Sequence, residues 1–202
     1  MNLDIKFIIP SLILIGGIIP LYIYRKEIIS FVYKKGNIKE FLKDVKLHMN
    51  KYHPFIPINY SIVKKTQNEK DITVAQTLIV ENIVDQFINY KYEKMTQKTV
   101  SKDKLWSNYD KNSISFFKKP GDWKARIELA WNRDEKRCNR CGKTIEFNDL
   151  NINFVKDIKD NGGYNVENLI ILCSDCNKIV NNNSIKPSSL EIQDRLMFYV
   201  ES

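Results

Sequence analysis

The sequence predicts an α+β chain in three parts: an N-terminal transmembrane helix, a helical spacer, and a small metal-stapled domain. Three observations predict it. Residues 7–24 (FIIPSLILIGGIIPLYIY) carry no charged side chain. Two stretches of the middle place apolar residues at helical spacing. Two Cys-x-x-Cys pairs, Cys138 with Cys141 and Cys173 with Cys176, hold every cysteine of the chain. The expected boundaries are 1–25 for the anchor, 26–121 for the spacer, and 122–202 for the cysteine-bearing domain and its C-terminal helix.

Residues 7–24, at about 1.5 Å rise per residue, nearly cross the hydrocarbon layer of a bilayer. Pro10, Pro20 and the Gly16-Gly17 pair would loosen a soluble helix but are tolerated more readily in a membrane. The rivals are a signal peptide, for which a small-residue cleavage site is missing, and a buried core helix. Tyr22 and Tyr24, followed by Arg25 and Lys26, form an interfacial belt, and Lys34, Lys35 and Lys39 extend the positive flank. That bias predicts a single-pass membrane protein with its C-terminal domain in the cytoplasm, where thiols stay reduced.

In the middle, Ile38, Phe41, Leu42, Val45 and Met49 predict one amphipathic helix with Lys39, Lys43 and Lys46 off its apolar face. Asp71 is the expected N-cap of a second helix, striped by Ile72, Ala75, Leu78, Ile79, Ile83, Phe87 and Tyr90. His48 and His53, the only histidines, have no carboxylate or cysteine partner at ligand spacing. Trp123, Ile127, Ala130 and Trp131 predict the buried face of a short helix. Ser188-x-x-Glu191 predicts a capping box for a final helix through Leu196 and Val200.

The net charge of +8 is unevenly placed. Residues 25–121 carry 19 Lys+Arg and 10 Asp+Glu, a net +9, whereas 122–202 carry 12 and 13, a net −1. The cysteine-bearing part alone is therefore a poor nonspecific DNA binder. Arg133, Lys136, Arg137, Arg140 and Lys143 cluster around the first cysteine pair; they either meet phosphates or form a plain charged surface.

Paired Cys-x-x-Cys spacing points to zinc held by Cys138, Cys141, Cys173 and Cys176, with disulfides as the alternative in an oxidising compartment. Four thiolates close a tetrahedral site, so such a zinc is structural and any catalysis belongs to other residues. The 31 residues between the pairs read as hairpin, a loop with Gly162-Gly163, and the run 167–172 leading directly into Cys173.

Arg133-Asp134, Cys138-Asn139-Arg140-Cys141-Gly142, the double glycine, Glu167-Asn168-Leu169 and Leu172-Cys173-x-x-Cys176-Asn177 together resemble the four-cysteine branch of the HNH endonuclease family, over residues 122–182. The resemblance implies a ββα-metal fold of treble-clef type, in which zinc staples a hairpin to the start of a helix. It also implies a second, catalytic metal in the groove between hairpin and helix, magnesium or manganese where the protein is active. Family members that cut DNA carry Asp-His or His-His on the strand after the first knuckle, and this chain has Asn153-Phe154 there. Phenylalanine can neither take a proton from water nor hold a metal. The family's middle Asn falls on Asn168 and its last ligand near Asn177 or Asn181. Asp157 is the replacement candidate for the base, with Asp160 beside it.

Three functions remain open from the sequence: a membrane-anchored HNH-like module that has lost cutting and binds nucleic acid or protein, an active metal-dependent DNA endonuclease with a replacement base, and a zinc-stapled protein-interaction domain. The sequence does not fix an oligomeric state.

Overall fold

Helix α1 (Ile38–Tyr52) starts where the Asn37 side chain accepts a hydrogen bond from the Lys39 amide, and it buries Phe41, Val45 and Met49 one turn apart. The computed structural model describes residues 37–94, 98–111, 118–182 and 184–201, together with 16, 19, 20 and 22–24. After a short helix α2 (Ile62–Thr66), Asp71 accepts from the Thr73 amide and opens α3 (Ile72–Asn89). The buried face of α3 is Ala75, Gln76, Ile79, Val80, Ile83, Val84 and Phe87. Leu78, expected on that face, is 41% exposed.

Helix α4 (Trp123–Arg133) buries Arg126 and Ala130, while its two tryptophans are only half-buried. Strand β1 (Asn151–Phe154) pairs antiparallel with β2 (Leu169–Leu172), with Asn153 opposite Ile170 and Phe154 opposite Leu169. All four residues of β2 are buried. The chain passes from β2 into α5 (Ser174–Asn181) and ends in α6 (Glu191–Glu201). Among the described residues this is a mixed architecture of helices around one two-stranded sheet.

Helices α1 and α3, in the stretch read as a spacer, are packed on the cysteine-bearing part. Phe41, Val45, Met49, Ile79, Ile83 and Phe87 share one apolar core with β2, the four cysteines, Ile192 and Leu196. Burial of that core is the main force holding α1, α3 and α6 to the sheet. The sixth helix is capped from a distance. Asp175 on α5 accepts from the Glu191 and Ile192 amides at 2.9 and 3.0 Å, so a buried carboxylate takes the cap that the sequence assigns to Ser188.

The transmembrane helix expected over residues 7–24 is corrected by the structure. Among the described residues no helix is long and apolar enough to cross a membrane, so the single-pass membrane placement, the cytoplasmic assignment and the membrane partner lose their support. A span needs about 20 apolar residues in one helix. The 18 residues of α3 instead turn their apolar face into the core and carry Glu81 and Asp85 outside it. Of residues 7–24, all but 16, 19, 20 and 22–24 lie outside the described residues.

Candidate metal centre and strand-helix groove

The first cysteine pair sits on a tight knuckle. Glu135 and Lys136, both in the left-handed region, swing the chain out of α4; the Cys138 amide then donates to Lys143 O and the Gly142 amide to Cys138 O. Gly142 has φ +80°, and a Cβ there would stand 2.8 Å from Pro54 Cγ. The knuckle thus packs against residues 54–55, where the Phe55 amide donates to Cys141 O. The second pair sits where β2 becomes α5: Cys173 is the residue before the helix and Cys176 lies in its first turn. Asn139 ties the two halves together, since its amide donates to Ile171 O and its side-chain oxygen accepts from the Ile171 amide.

All four cysteines are buried, and their Sγ atoms lie within 4.8 Å of one another. Cys141 Sγ and Cys173 Sγ are 3.7 Å apart. A tetrahedral zinc with Zn–S of about 2.3 Å requires sulfur atoms roughly 3.8 Å apart, far beyond the 2 Å or so of a disulfide. Hydrogen bonding from Cys141, Cys173 and Cys176 pulls the Cys138 thiol below its ordinary range, and the reciprocal bonds with burial push Cys141 and Cys176 above theirs. A divalent cation is what lets four such thiols ionise together. The donor set fits zinc, and the closed four-sulfur shell makes it a structural centre.

Arg140 explains how the helical half is joined to this centre. The residue is 2% exposed, and its guanidinium lies 3.6 Å from Cys176 Sγ and donates to the carbonyls of Phe87, Ile88 and Tyr90 at 2.6 to 3.2 Å. Those are the unpaired carbonyls at the C-terminal end of α3, where the helix dipole favours a cation. Arg133 is likewise committed inward, to the Val166 and Leu169 carbonyls and, bidentately, to Asp134. Of the five basic residues singled out in the sequence, Lys136 is exposed and stacked over Trp131, Arg137 is half-buried, and Lys143 pairs with Glu191 at 3.0 Å. Arg126, overlooked in the sequence because it falls on an apolar helix face, is 1% exposed. It grips Asp122 and the Tyr164 carbonyl and stacks on Tyr109.

The groove between β1 and α5 is lined by amides. Alternation along β1 turns Asn151 and Asn153 toward α5, where Asn177 Nδ2 donates to Asn151 Oδ1 at 3.3 Å and Asn153 Nδ2 to Asn181 Oδ1 at 3.1 Å. Asn181 Nδ2 closes the ladder by donating to Asn177 Oδ1 at 2.8 Å. Lys94, from the segment after α3, donates its Nζ to Asn153 Oδ1 at 3.1 Å. Phe154 faces the other way, against Trp123 and Tyr164. Asn168 is wholly engaged in holding the loop after β1: it bonds the Lys156 amide and carbonyl and the Gly163 carbonyl. Asp157 is partly exposed, with a loose pair to Lys159 at 3.8 Å; Asp160 is exposed in the turn that follows. A hard divalent ion takes oxygen ligands, carboxylates foremost. Mutually bonded amides with an ammonium among them do not fit it. His48 and His53 offer no replacement, since they line a cavity with Lys143, Asp175, Glu191 and Tyr199 that none of these asparagines enters.

The HNH endonuclease family model matches residues 138–183, a span that contains both cysteine pairs, β1, β2 and α5. No curated protein and no solved structure matches the chain.

Proposed function

We propose that this chain, which carries an HNH endonuclease domain over residues 138–183 with a four-cysteine metal cluster, holds nucleic acid on that frame and does not cut it. The observation that carries this reading is the end of β1. Asn153 is tied to Asn181 and to Lys94, and the neighbouring position, where a general base would stand, is a phenylalanine packed on Trp123. Among the described residues no proton acceptor and no carboxylate is bonded to Asn153 or packed on Phe154, where water would be activated. The near-neutral charge of 122–202, which alone argues against DNA binding, is offset locally because the helical residues 38–90 are folded onto it and the segment after them delivers Lys94 to the groove.

The test is nicking and retardation of supercoiled plasmid by the zinc-loaded full chain, with magnesium and with manganese. The expected result is retardation without nicking. Nicking that disappears in both Cys173→Ser and Asp157→Asn would overturn the reading in favour of an active endonuclease with Asp157 as base. Neither nicking nor retardation would leave a protein-interaction module.

A further inference from the structure

We propose that the Lys94 ammonium is the resident cation of the β1–α5 groove, and that it seats a phosphodiester of nucleic acid there without a divalent metal. The ligand half of this rests on the nucleic-acid reading above; the cation half stands on the groove itself. Asn153 is 7% exposed, and its Oδ1 accepts from both Lys94 Nζ and the Phe154 amide. Its Nδ2 is spent on Asn181, and Asn181 in turn on Asn177. The orientation of each amide is fixed by this chain of donors, and the oxygen that would face a metal faces the ammonium instead.

An ammonium carries three donors. One goes to Asn153, and among the described residues no carboxylate stands within ion-pair distance of Lys94. A half-buried cation with donors to spare and no anionic partner is a seat for an anion, and charge-assisted bonds to phosphate oxygens are the strong use of such a group. Delivery of Lys94 is built into the fold. The segment that carries it leaves α3 beside the zinc centre, where Arg140 binds the Tyr90 carbonyl, and reaches β1 at Lys94.

The experiment has two readouts on the zinc-loaded full chain. In the first, a labelled duplex is titrated without divalent ions. Lys94→Gln is expected to weaken binding roughly tenfold and to lower the slope of log affinity against log salt by about 1, with Lys94→Arg restoring both; added magnesium does not strengthen binding by the wild type. In the second, Mn²⁺ binding is followed by electron paramagnetic resonance. The wild type and Asn153→Asp alone take up no manganese, because Lys94 holds the seat, whereas Lys94→Gln with Asn153→Asp takes up one ion. Unchanged affinity and slope in Lys94→Gln would overturn the phosphate seat. Manganese uptake by Asn153→Asp alone, or none by the double variant, would overturn the cation seat. A wild type that does not bind duplex would overturn the nucleic-acid reading and this ligand with it, while the manganese titration still decides who holds the groove.

Discussion

The zinc centre and the β1–α5 groove are built on the same few elements, yet they handle charge in opposite ways. At the centre, four soft anionic ligands converge on one point, shielded from water, with Arg140 bonded to one sulfur. In the groove, the same strand pair and the same helix present neutral amides that satisfy one another and a lysine from outside the domain. One site calls for a divalent cation to balance its thiolates; the other already holds an ammonium. The difference teaches that in this unit the metal that makes the fold and a metal that would make chemistry are separable, because the cysteines sit on the 138–141 knuckle and at the start of α5 while the groove amides sit on β1 and further along α5.

The largest effect that could break the comparison is loss of the zinc. Structural zinc in small domains contributes about 10–16 kcal/mol at neutral pH, so Cys173→Ser or complete chelation is expected to abolish near-UV circular dichroism. A spectrum unchanged after metal removal would mean that the core stands without it. Next comes Arg140→Met, which strands three carbonyls at the end of α3. It is expected to cost about 3 kcal/mol, read by denaturant unfolding, and to loosen the helical half from the centre.

Gly162→Ala addresses the groove side alone. A Cβ at 162 would meet the Lys156 carbonyl oxygen at 1.9 Å, and the expected loss is about 2 kcal/mol with zinc content by metal analysis unchanged. The smallest effect is a pH slope on the zinc side. Burial, with His48 nearby, pushes His53 down to about 3, and its buried Nδ1 has no hydrogen-bond partner. The unfolded chain takes up this proton near its ordinary value of 6.5 and the folded chain does not until about 3. Stability from this group is therefore complete above 6.5 and falls as pH drops through that window, by at most about 1.4 kcal/mol per pH unit. His53→Phe should flatten the difference between pH 6.5 and 5 in matched urea titrations of wild type and variant.

What was legible in the sequence follows from how local each signal is. The cysteine pairs, the Asp71 cap and the apolar positions of α1 are short-range patterns, and each reappears in the fold. The pair Asn153-Phe154 is read directly off the chain, and it lies at the end of β1. Long-range matters were not: Lys94 lies 59 residues from Asn153 and Arg140 lies 53 from Phe87, and no spacing rule links them. Arg140 and Arg133 read as surface charges because nothing local marks a guanidinium that will be buried on backbone carbonyls. The apolar run 7–24 invited a membrane helix through its length, its lack of charge and its aromatic and basic flank, and no helix among the described residues meets the requirement.

The central claim, one metal for the fold and a lysine in the groove, is tested most directly by anomalous diffraction from crystals of the zinc-loaded chain soaked in Mn²⁺. The expected map has a single zinc peak at the centre of Cys138, Cys141, Cys173 and Cys176, with Lys94 Nζ on Asn153 Oδ1 and no manganese peak. A manganese peak between Asn153 and Asn181, with Lys94 displaced, would contradict it.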